Sequence, residues 1–416
     1  MKSVQEIKAD PFGKYNGNEI DYVLEFLDSE NVERKKNPFV QRLEKKFCET
    51  FDIKYAVAHN SGTSSLHSCL VASGVGAGDE VISPAQTVIM NSFVILHQNA
   101  IPVYADIDPH TFNINPADIE RKITKKTKAI IAVHMHGLPA DMDSIMQIAL
   151  KYNINVIEDS AQCVLGKING RLAGTIGHLA SWSFETKKHL SIGEGGMVTT
   201  NDPEMATIVR KHGGLGYKTL RADQSLRQLL PTEFQDPDYK RHDTLGWNYR
   251  MNEISAALGL AQLERMEFLV SRRKKIAQLY LDIFDDCDWI IPQKTPDGYE
   301  NSYWTFTVKY EGLKKFGVPW KKFYTLHKEN GGDGFYGGLS VCYKELVMLN
   351  KPFLEKYLPK SSLYNNSFDY KDGLCPVAEE IQPKMMQFKT NYRDLTQAKE
   401  KIEILRKTIK QIEKFS

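Results

Sequence analysis

Residues 128–162 read KAIIAVHMHGLPADMDSIMQIALKYNINVIEDSAQ, and the order of patterns within them decides the fold class. Lys128–Val133 is a short, strongly apolar run. From Asp143 to about Tyr152 apolar residues return at helical spacing. Ile154–Ile157 is a second apolar run, and it ends on Glu158 and Asp159. Strand, helix, strand with apolar strands describes a parallel pair buried on both faces. The same alternation runs upstream. Tyr55–Ala58 is followed by a helical pattern from Ser64 to about Ala72, a run at Glu80–Ser83, a helix from about Thr87, and a run at Ile101–Tyr104. These patterns predict an α/β fold around a mostly parallel central sheet. Ligands of such sheets sit beyond the carboxyl ends of the strands, so the residues that follow each apolar run are the functional candidates.

Downstream, Asn252–Met266 is helical and a polar, basic helix continues through Arg272–Leu281. Its charge run reads as a solvated helix face. After about residue 285 the pattern changes to short aromatic strands (Tyr303–Tyr310) and separated helices. The chain closes on an amphipathic stretch at Asp394–Phe415, with Ile402, Leu405, Ile409 and Ile412 on one face. A boundary is expected at 265–285, giving a large domain over 1–270 and a smaller α+β domain over 271–416. The 416 residues carry 54 Lys+Arg against 52 Asp+Glu, a net charge of +2. Such a balance provides no field for nucleic acid, and none is expected as a partner. No run of about 18 apolar residues is present, so no membrane span is expected. The stretch MKSVQEIKADPFGKYNG lacks the apolar centre of a signal peptide. Six scattered cysteines without CxxC spacing read as reduced thiols of a cytoplasmic protein.

Three segments could carry chemistry. In residues 181–202, SWSFETKKHLSIGEGGMVTTND, two lysines lie between an apolar run and a Gly-rich turn. A lysine partly desolvated there has a lowered pKa and a free amine for Schiff-base chemistry. Taken alone, a solvated loop explains the pair as well. In NVIEDSAQ (155–162) a strand delivers Glu158 and Asp159 to its end, with Gln162 three residues on. Asp159 there can face a protonated ring nitrogen, or simply cap a helix. In NSGTSSL (60–66) small residues open a helix, which suits an anion or a plain N-cap. Phosphate, ring nitrogen and reactive carbonyl belong together in one ligand, pyridoxal phosphate. His134 and His136, in VHMHG, end a strand with i, i+2 spacing, but no metal is expected there. The acidic pair Glu379–Glu380 reads as a surface turn.

These segments make the chain resemble the DegT/StrS family of sugar aminotransferases, fold type I enzymes that use pyridoxal phosphate, over roughly residues 15–410. NSGTSSL resembles the family's phosphate-binding turn, and IEDSAQ its Asp-x-x-Gln element. SFETKKHLSIGEGG resembles its S-F-x-x-x-K lysine signature with GEGG, and GWNYRMNEISAALGLAQL (246–263) the segment whose Asn reaches the partner subunit. By that resemblance Lys188, not Lys187, is the Schiff-base lysine. Asp159 faces the ring nitrogen and Gln162 the ring hydroxyl. Gly62, Thr63, Ser64, Ser183 and Asn248 of the partner subunit hold the phosphate.

The resemblance implies an aminotransferase that moves an amino group from L-glutamate to a keto sugar, a nucleotide-linked keto-deoxyhexose. That places it in amino-sugar synthesis for lipopolysaccharide O-antigen, other surface polysaccharide or a secondary metabolite. It also implies a homodimer with shared active sites. A keto-cyclitol is the alternative acceptor. A related keto-sugar dehydratase is less compatible, because such enzymes carry histidine at the lysine position. One departure stands out in PAQTV (84–88): Val88 occupies the place where many members carry an aromatic that packs on the cofactor ring. Two stretches, Tyr217–Asp243 and Gly331–Tyr343, look longer than usual and are candidate substrate loops.

Overall fold

The structure, a computed structural model, describes residues 2–28, 37–224, 232, 235–356, 358, 364 and 367–415. Residues 225–231 and 233–234 of the Tyr217–Asp243 loop therefore lie outside the described residues. The central sheet has seven strands: β1 (Tyr55–His59), β2 (Glu80–Pro84), β3 (Ile101–Ala105), β4 (Thr127–Val133), β5 (Asn155–Asp159), β8 (Leu179–Ser183) and β9 (Gly196–Thr200). Two short strands, β6 (Lys167–Ile168) and β7 (Arg171–Leu172), lie outside it. The order across the sheet is β1-β9-β8-β5-β4-β2-β3. The pairs β8/β5, β5/β4, β4/β2 and β2/β3 are parallel, and β9 runs antiparallel to both its neighbours. The mostly parallel α/β sheet expected from the apolar runs is the one observed.

β4 shows why those runs lack polar alternation. Ile131 and Val133 join one apolar cluster with Leu66, Leu70 and Val94, while Ile130 and Ala132 join another with Ile119, Ile145 and Val156. A strand covered on both faces needs apolar side chains on both. Further helices, Phe39–Phe51 and Glu253–Glu264, pack Phe47, Phe51 and Leu260 against Trp182 and Phe184.

Beyond the helix Met266–Phe284 a second sheet forms from β10 (Ile290–Pro292), β12 (Thr305–Tyr310), β13 (Tyr336–Gly337) and β14 (Met385–Lys389), ordered β10-β12-β14-β13 and wholly antiparallel, while β11 (Tyr299–Glu300) pairs with β6. The helix Leu395–Ile412 buries Ile402, Leu405, Ile409 and Ile412 against it. Described residues between Val341 and Ala378 instead pack on the edge of the large sheet, where Tyr343, Phe353 and Cys375 join Ala85, Leu96 and Tyr104. Glu379 is not in a surface turn. It sits in the helix Pro376–Ile381 and accepts hydrogen bonds from Lys344 Nζ (2.8 Å), the Gly373 N–H (2.9 Å) and the Tyr343 hydroxyl.

The end of β5 carries two neighbouring carboxylates, and strand alternation sends them to opposite faces. Glu158 is fully buried and accepts the N–H groups of Gly174 (2.7 Å), Ile176 (2.7 Å) and Gly177 (2.6 Å) and the Nε2–H of His134 (2.9 Å). His134 Nδ1 accepts the Ala140 N–H, which assigns the ring proton to Nε2. Burial pushes the Glu158 carboxyl up, but these hydrogen bonds outweigh it and hold the group below its usual range. A depressed carboxyl stabilises the fold above the unfolded-state pKa, and that contribution is lost as pH falls through the folded value. Glu158→Gln should therefore cost about 3 kcal/mol in urea unfolding at neutral pH, because a buried bond network is broken. The variant should also lose stability less steeply on acidification than the parent. Equal acid dependence in the two proteins would refute this role for Glu158.

Candidate active site

The carboxyl ends of β4, β5 and β8 lie side by side because these strands are parallel neighbours in register, with Val133 opposite Asp159 and Asp159 opposite Ser181. Asp159 is 8% exposed. Its Oδ1 accepts the Ala161 N–H (3.1 Å) and its Oδ2 accepts Asn91 Nδ2 (3.3 Å). Burial raises its pKa, opposed by the Ala161 N–H, the charge of Lys188 and the Asn91 amide. Asn91 belongs to the helix Met90–His97 and is itself buried, with Oδ1 unpaired. Gln162, also buried, accepts the His136 N–H through Oε1 (2.8 Å). His136 adopts a left-handed backbone (φ 63°), and its buried Nε2 has no partner. Burial lowers the His136 pKa to about 3, so its ring is neutral.

The segment between β8 and β9 turns tightly. Phe184 N–H donates to Gly195 O (2.9 Å) and Ile192 N–H to Phe184 O (3.0 Å). Lys187 projects outward and is exposed, whereas Lys188 is half-buried. Lys188 Nζ lies 4.4 Å from the centroid of the Trp304 ring. Burial lowers the Lys188 pKa, Asp159 and Glu185 push it up, and Arg273 pushes it down. The amine and the Asp159 carboxylate thus feel one another across the strand ends. A cavity of about 550 Å³ opens beside Lys187 and Arg273, lined among others by Trp304, Tyr336, Leu339 and Gln387.

The Ser61–Thr63 turn meets this site through missing side chains. A Cβ on Gly62 would stand 2.7 Å from Ser183 Cβ, and one on Gly196 would collide with the Ser61 carbonyl. Glycine at both positions lets the start of the helix Gly62–Ala72 touch the end of β8. The first N–H groups of a helix have no partner within it, so those of Gly62 and Thr63 are available to an anion. The Thr63 side chain is half-buried beside them. The Ser64 hydroxyl donates to Asn60 Oδ1 (2.7 Å) and accepts the Ser61 N–H (3.1 Å), and its own N–H donates to Ser61 Oγ (3.1 Å), the last two forming a capping box. Ser64 thereby shapes the turn from beneath.

Asn248 is exposed, and its carbonyl accepts Asn60 Nδ2 (3.4 Å). The Tyr249 carbonyl accepts the Asn60 N–H (2.7 Å). Its segment therefore runs beside the Ser61 turn of its own chain, with Leu245 93% and Trp247 58% exposed. Val88 is half-buried, and its carbonyl accepts Asn91 Nδ2 (3.2 Å). The Gly331–Tyr343 stretch contributes β13 and a bridge from Val341 to Gln86, two residues before Val88. Among the described residues no group of three or more His, Cys, Asp or Glu could hold a metal. Asn91, Trp304 and Arg273 carry no site signal in the sequence, and His136 stands out there only for its strand-end spacing with His134. All are brought in by non-local contacts; only the Thr87–Asn91 spacing hinted that Asn91 shares a helical turn with the Pro84–Val88 segment.

The sequence model of the DegT/DnrJ/EryC1/StrS aminotransferase family matches residues 14–330. The GDP-perosamine synthase of Caulobacter vibrioides is 40% identical over 267 residues, covering 64% of this chain and 67% of that protein. The spore coat polysaccharide biosynthesis protein SpsC of Bacillus subtilis is 35% identical over 353 residues, covering 85% and 87%. The X-ray structure of the aminotransferase from Psychrobacter cryohalolentis superposes with a TM-score of 0.79 at 29% identity, covering 95% of this chain and 97% of that one. The chain belongs to the DegT/DnrJ/EryC1/StrS aminotransferase family.

The Asn91 amide is a donor that only the ionised form of Asp159 rewards. Asn91→Ala should raise the Asp159 pKa further, read from the titration of its carboxyl carbon by ¹³C NMR. It should also cost about 1 kcal/mol in stability, the net worth of one hydrogen bond. An unchanged Asp159 titration would show that the 3.3 Å contact carries no weight.

Proposed function

We propose that this chain moves an amino group from L-glutamate to a nucleotide-linked keto sugar, with pyridoxal phosphate as its cofactor, as a homodimer with shared active sites. One observation carries the reading: a desolvated amine, Lys188, and a buried carboxylate, Asp159, feel one another's charge across strand ends that meet a helix start with free N–H groups. The polar atoms fit the cofactor. The unpaired His136 Nε2 and Asn91 Oδ1, both buried, call for a polar ligand at the strand ends. When bound, pyridoxal phosphate supplies an aldehyde that condenses with amines and a ring that withdraws electrons from the attached carbon.

In this reading the N–H groups of Gly62 and Thr63, the hydroxyls of Thr63 and Ser183, and Asn248 of the partner subunit bind the phosphate, while Ser64 holds the turn. Asp159 keeps a proton on the ring nitrogen, and Gln162 donates its amide to the ring hydroxyl. Lys188 Nζ would take the proton from Cα of the amino donor and deliver it in the same half-reaction to the carbon that carried the cofactor's aldehyde, and would run that transfer in reverse for the acceptor. Trp304 covers the amine and keeps water from it. Val88 offers an aliphatic surface where an aromatic would otherwise lie. Residues 1–270 form the cofactor-binding domain and residues 271–416 the small domain.

The sugar acceptor is supported by the GDP-perosamine synthase relative, and a role in surface polysaccharide by the spore coat relative. The exposed Leu245 and Trp247, flanking Asn248, support a subunit contact at that segment. No described helix is long and apolar enough to cross a membrane, and all six cysteines are unpaired. Both facts are compatible with work in the cytoplasm.

Borohydride reduction of cofactor-loaded protein should fix the label on Lys188, and peptide mass spectrometry should find Lys187 unlabelled; label on Lys187 alone would overturn the register. Incubation with glutamate and a panel of nucleotide-linked keto sugars should yield a product carrying one added amino group by mass spectrometry. No amination of any sugar, with a keto-cyclitol converted instead, would redirect the reading to the cyclitol. Mixing inactive Lys188→Ala and Asn248→Trp subunits should restore part of the activity, because one site of each heterodimer then holds both residues. Verified exchange without recovery would sink the shared site.

A further inference from the structure

The helix Met266–Phe284 sends Arg273 into the interior, where it is 7% exposed. Its Nη2 donates to the carbonyl oxygens of Lys187 (3.2 Å) and Lys188 (3.1 Å). Its Nη1 donates to the carbonyl of Trp304 (2.7 Å) and to Thr390 Oγ1 (3.1 Å). Trp304 is the residue whose ring lies under Lys188 Nζ. One guanidinium therefore holds both lysine carbonyls and the backbone of the ring that covers the amine. Among the described residues no carboxylate pairs with it, and the charge of Arg272 adds to burial in lowering its pKa. Burial pushes its pKa down to about 9, which still leaves it protonated at neutral pH.

A buried cation without a counter-ion is costly. The fork of donors answers four acceptors that a two-donor amide could not span, and it brings a charge with it. The charge has one reactive neighbour. Around Lys188, Asp159 from β5 and Glu185 from the same turn favour the ammonium form, while Arg273 opposes them. His189, next in the chain, is fully buried and held well below its usual range by burial and by Arg273, so it is neutral. Lys187 points outward to the ring of Tyr336, 5.4 Å away.

We infer that Arg273 is the positioning residue of Lys188: its guanidinium clamps the lysine backbone to Trp304 and Thr390 and sets a positive charge beside the Nζ amine. This rests on the reading that Lys188 carries the cofactor. Two functions are thus joined in one side chain, and two substitutions separate them. Arg273→Lys keeps the charge but cannot span four acceptors. Arg273→Gln loses the charge together with the four-point clamp, so the effect of the charge is the difference between the two variants.

The test follows uptake of pyridoxal phosphate by cofactor-free protein, read as visible absorbance against pH, for wild type, Arg273→Lys, Arg273→Gln and Lys188→Ala. Circular dichroism establishes folding of each. In the wild type the rate should reach half its maximum below the ordinary lysine range. Arg273→Gln should move that midpoint up by about one pH unit, so that uptake at pH 7 is about tenfold slower. Arg273→Lys should keep the midpoint and lose occupancy on dilution, since the backbone clamp is gone. A folded Arg273→Gln variant with the wild-type midpoint would overturn the proposal. So would a wild-type midpoint at the ordinary lysine value, an outcome that needs no variant to fold. Unchanged uptake by Lys188→Ala would instead remove the assignment of Lys188, and this proposal with it.

Discussion

Glu158 accepts three backbone N–H groups and the His134 ring proton inside the sheet, where no water can replace them. The active end of the molecule hangs from that carboxylate. It fixes the 174–177 turn that feeds β8, and it fixes His134, from which the backbone turns back through the left-handed His136. β8 ends at Ser183 and leads directly into the lysine turn. Asp159, one residue later, faces the opposite way, and among the described residues its carboxylate accepts from Asn91 and the Ala161 N–H. Two adjacent acids are thus driven apart in pKa, Glu158 down and Asp159 up. The number of donors each face supplies decides the difference, since burial raises both.

The same contrast separates the two lysines. Lys187 and Lys188 are identical side chains, yet one is solvated and the other is closed in by Trp304 and the strand ends. Their carbonyls share one guanidinium, so the turn cannot rotate to exchange them without breaking Arg273 from both. Register in this turn is therefore held by the backbone, through Arg273, and by the Phe184–Gly195 pairing at its base. The lysine that is desolvated follows from these contacts, whatever the intrinsic chemistry of the pair.

Apolar runs and their end residues were legible because a parallel strand must be apolar on both faces and must stop where polar groups begin. That logic finds the sheet, and it finds Glu158 and Asp159 together without telling them apart. The helix predicted from about Thr87 starts only at Met90, because Gln86 bridges to Val341 and the Thr87 carbonyl meets Cys342 Sγ at 3.6 Å. Those partners lie some 255 residues away in sequence, beyond any local pattern. Glu379 was misread for a similar reason: its ligands, Lys344 and Gly373, come from separate segments that only the fold brings together. Ser64 looked like a phosphate ligand because small hydroxyls at a helix start serve either role. The structure commits its hydroxyl to Asn60 and Ser61, and composition could not have separated the two.

Later segments complete the site rather than decorate it. Tyr336, Leu339 and Gln387 line the cavity beside Lys187, and its volume of about 550 Å³ falls within the range of small-ligand sites. Trp304 and Thr390, which Arg273 ties to the lysine turn, come from the same part of the chain. A change in how the second sheet packs must therefore reach Lys188 through Arg273, because the guanidinium contacts both sides at once. Two carbonyls on one side and a carbonyl with a hydroxyl on the other give that link a fixed geometry, and the planar fork of arginine suits it where the single ammonium of lysine does not. The position of the amine is thus a property of how the two sheets meet, and the lysine signature alone does not determine it.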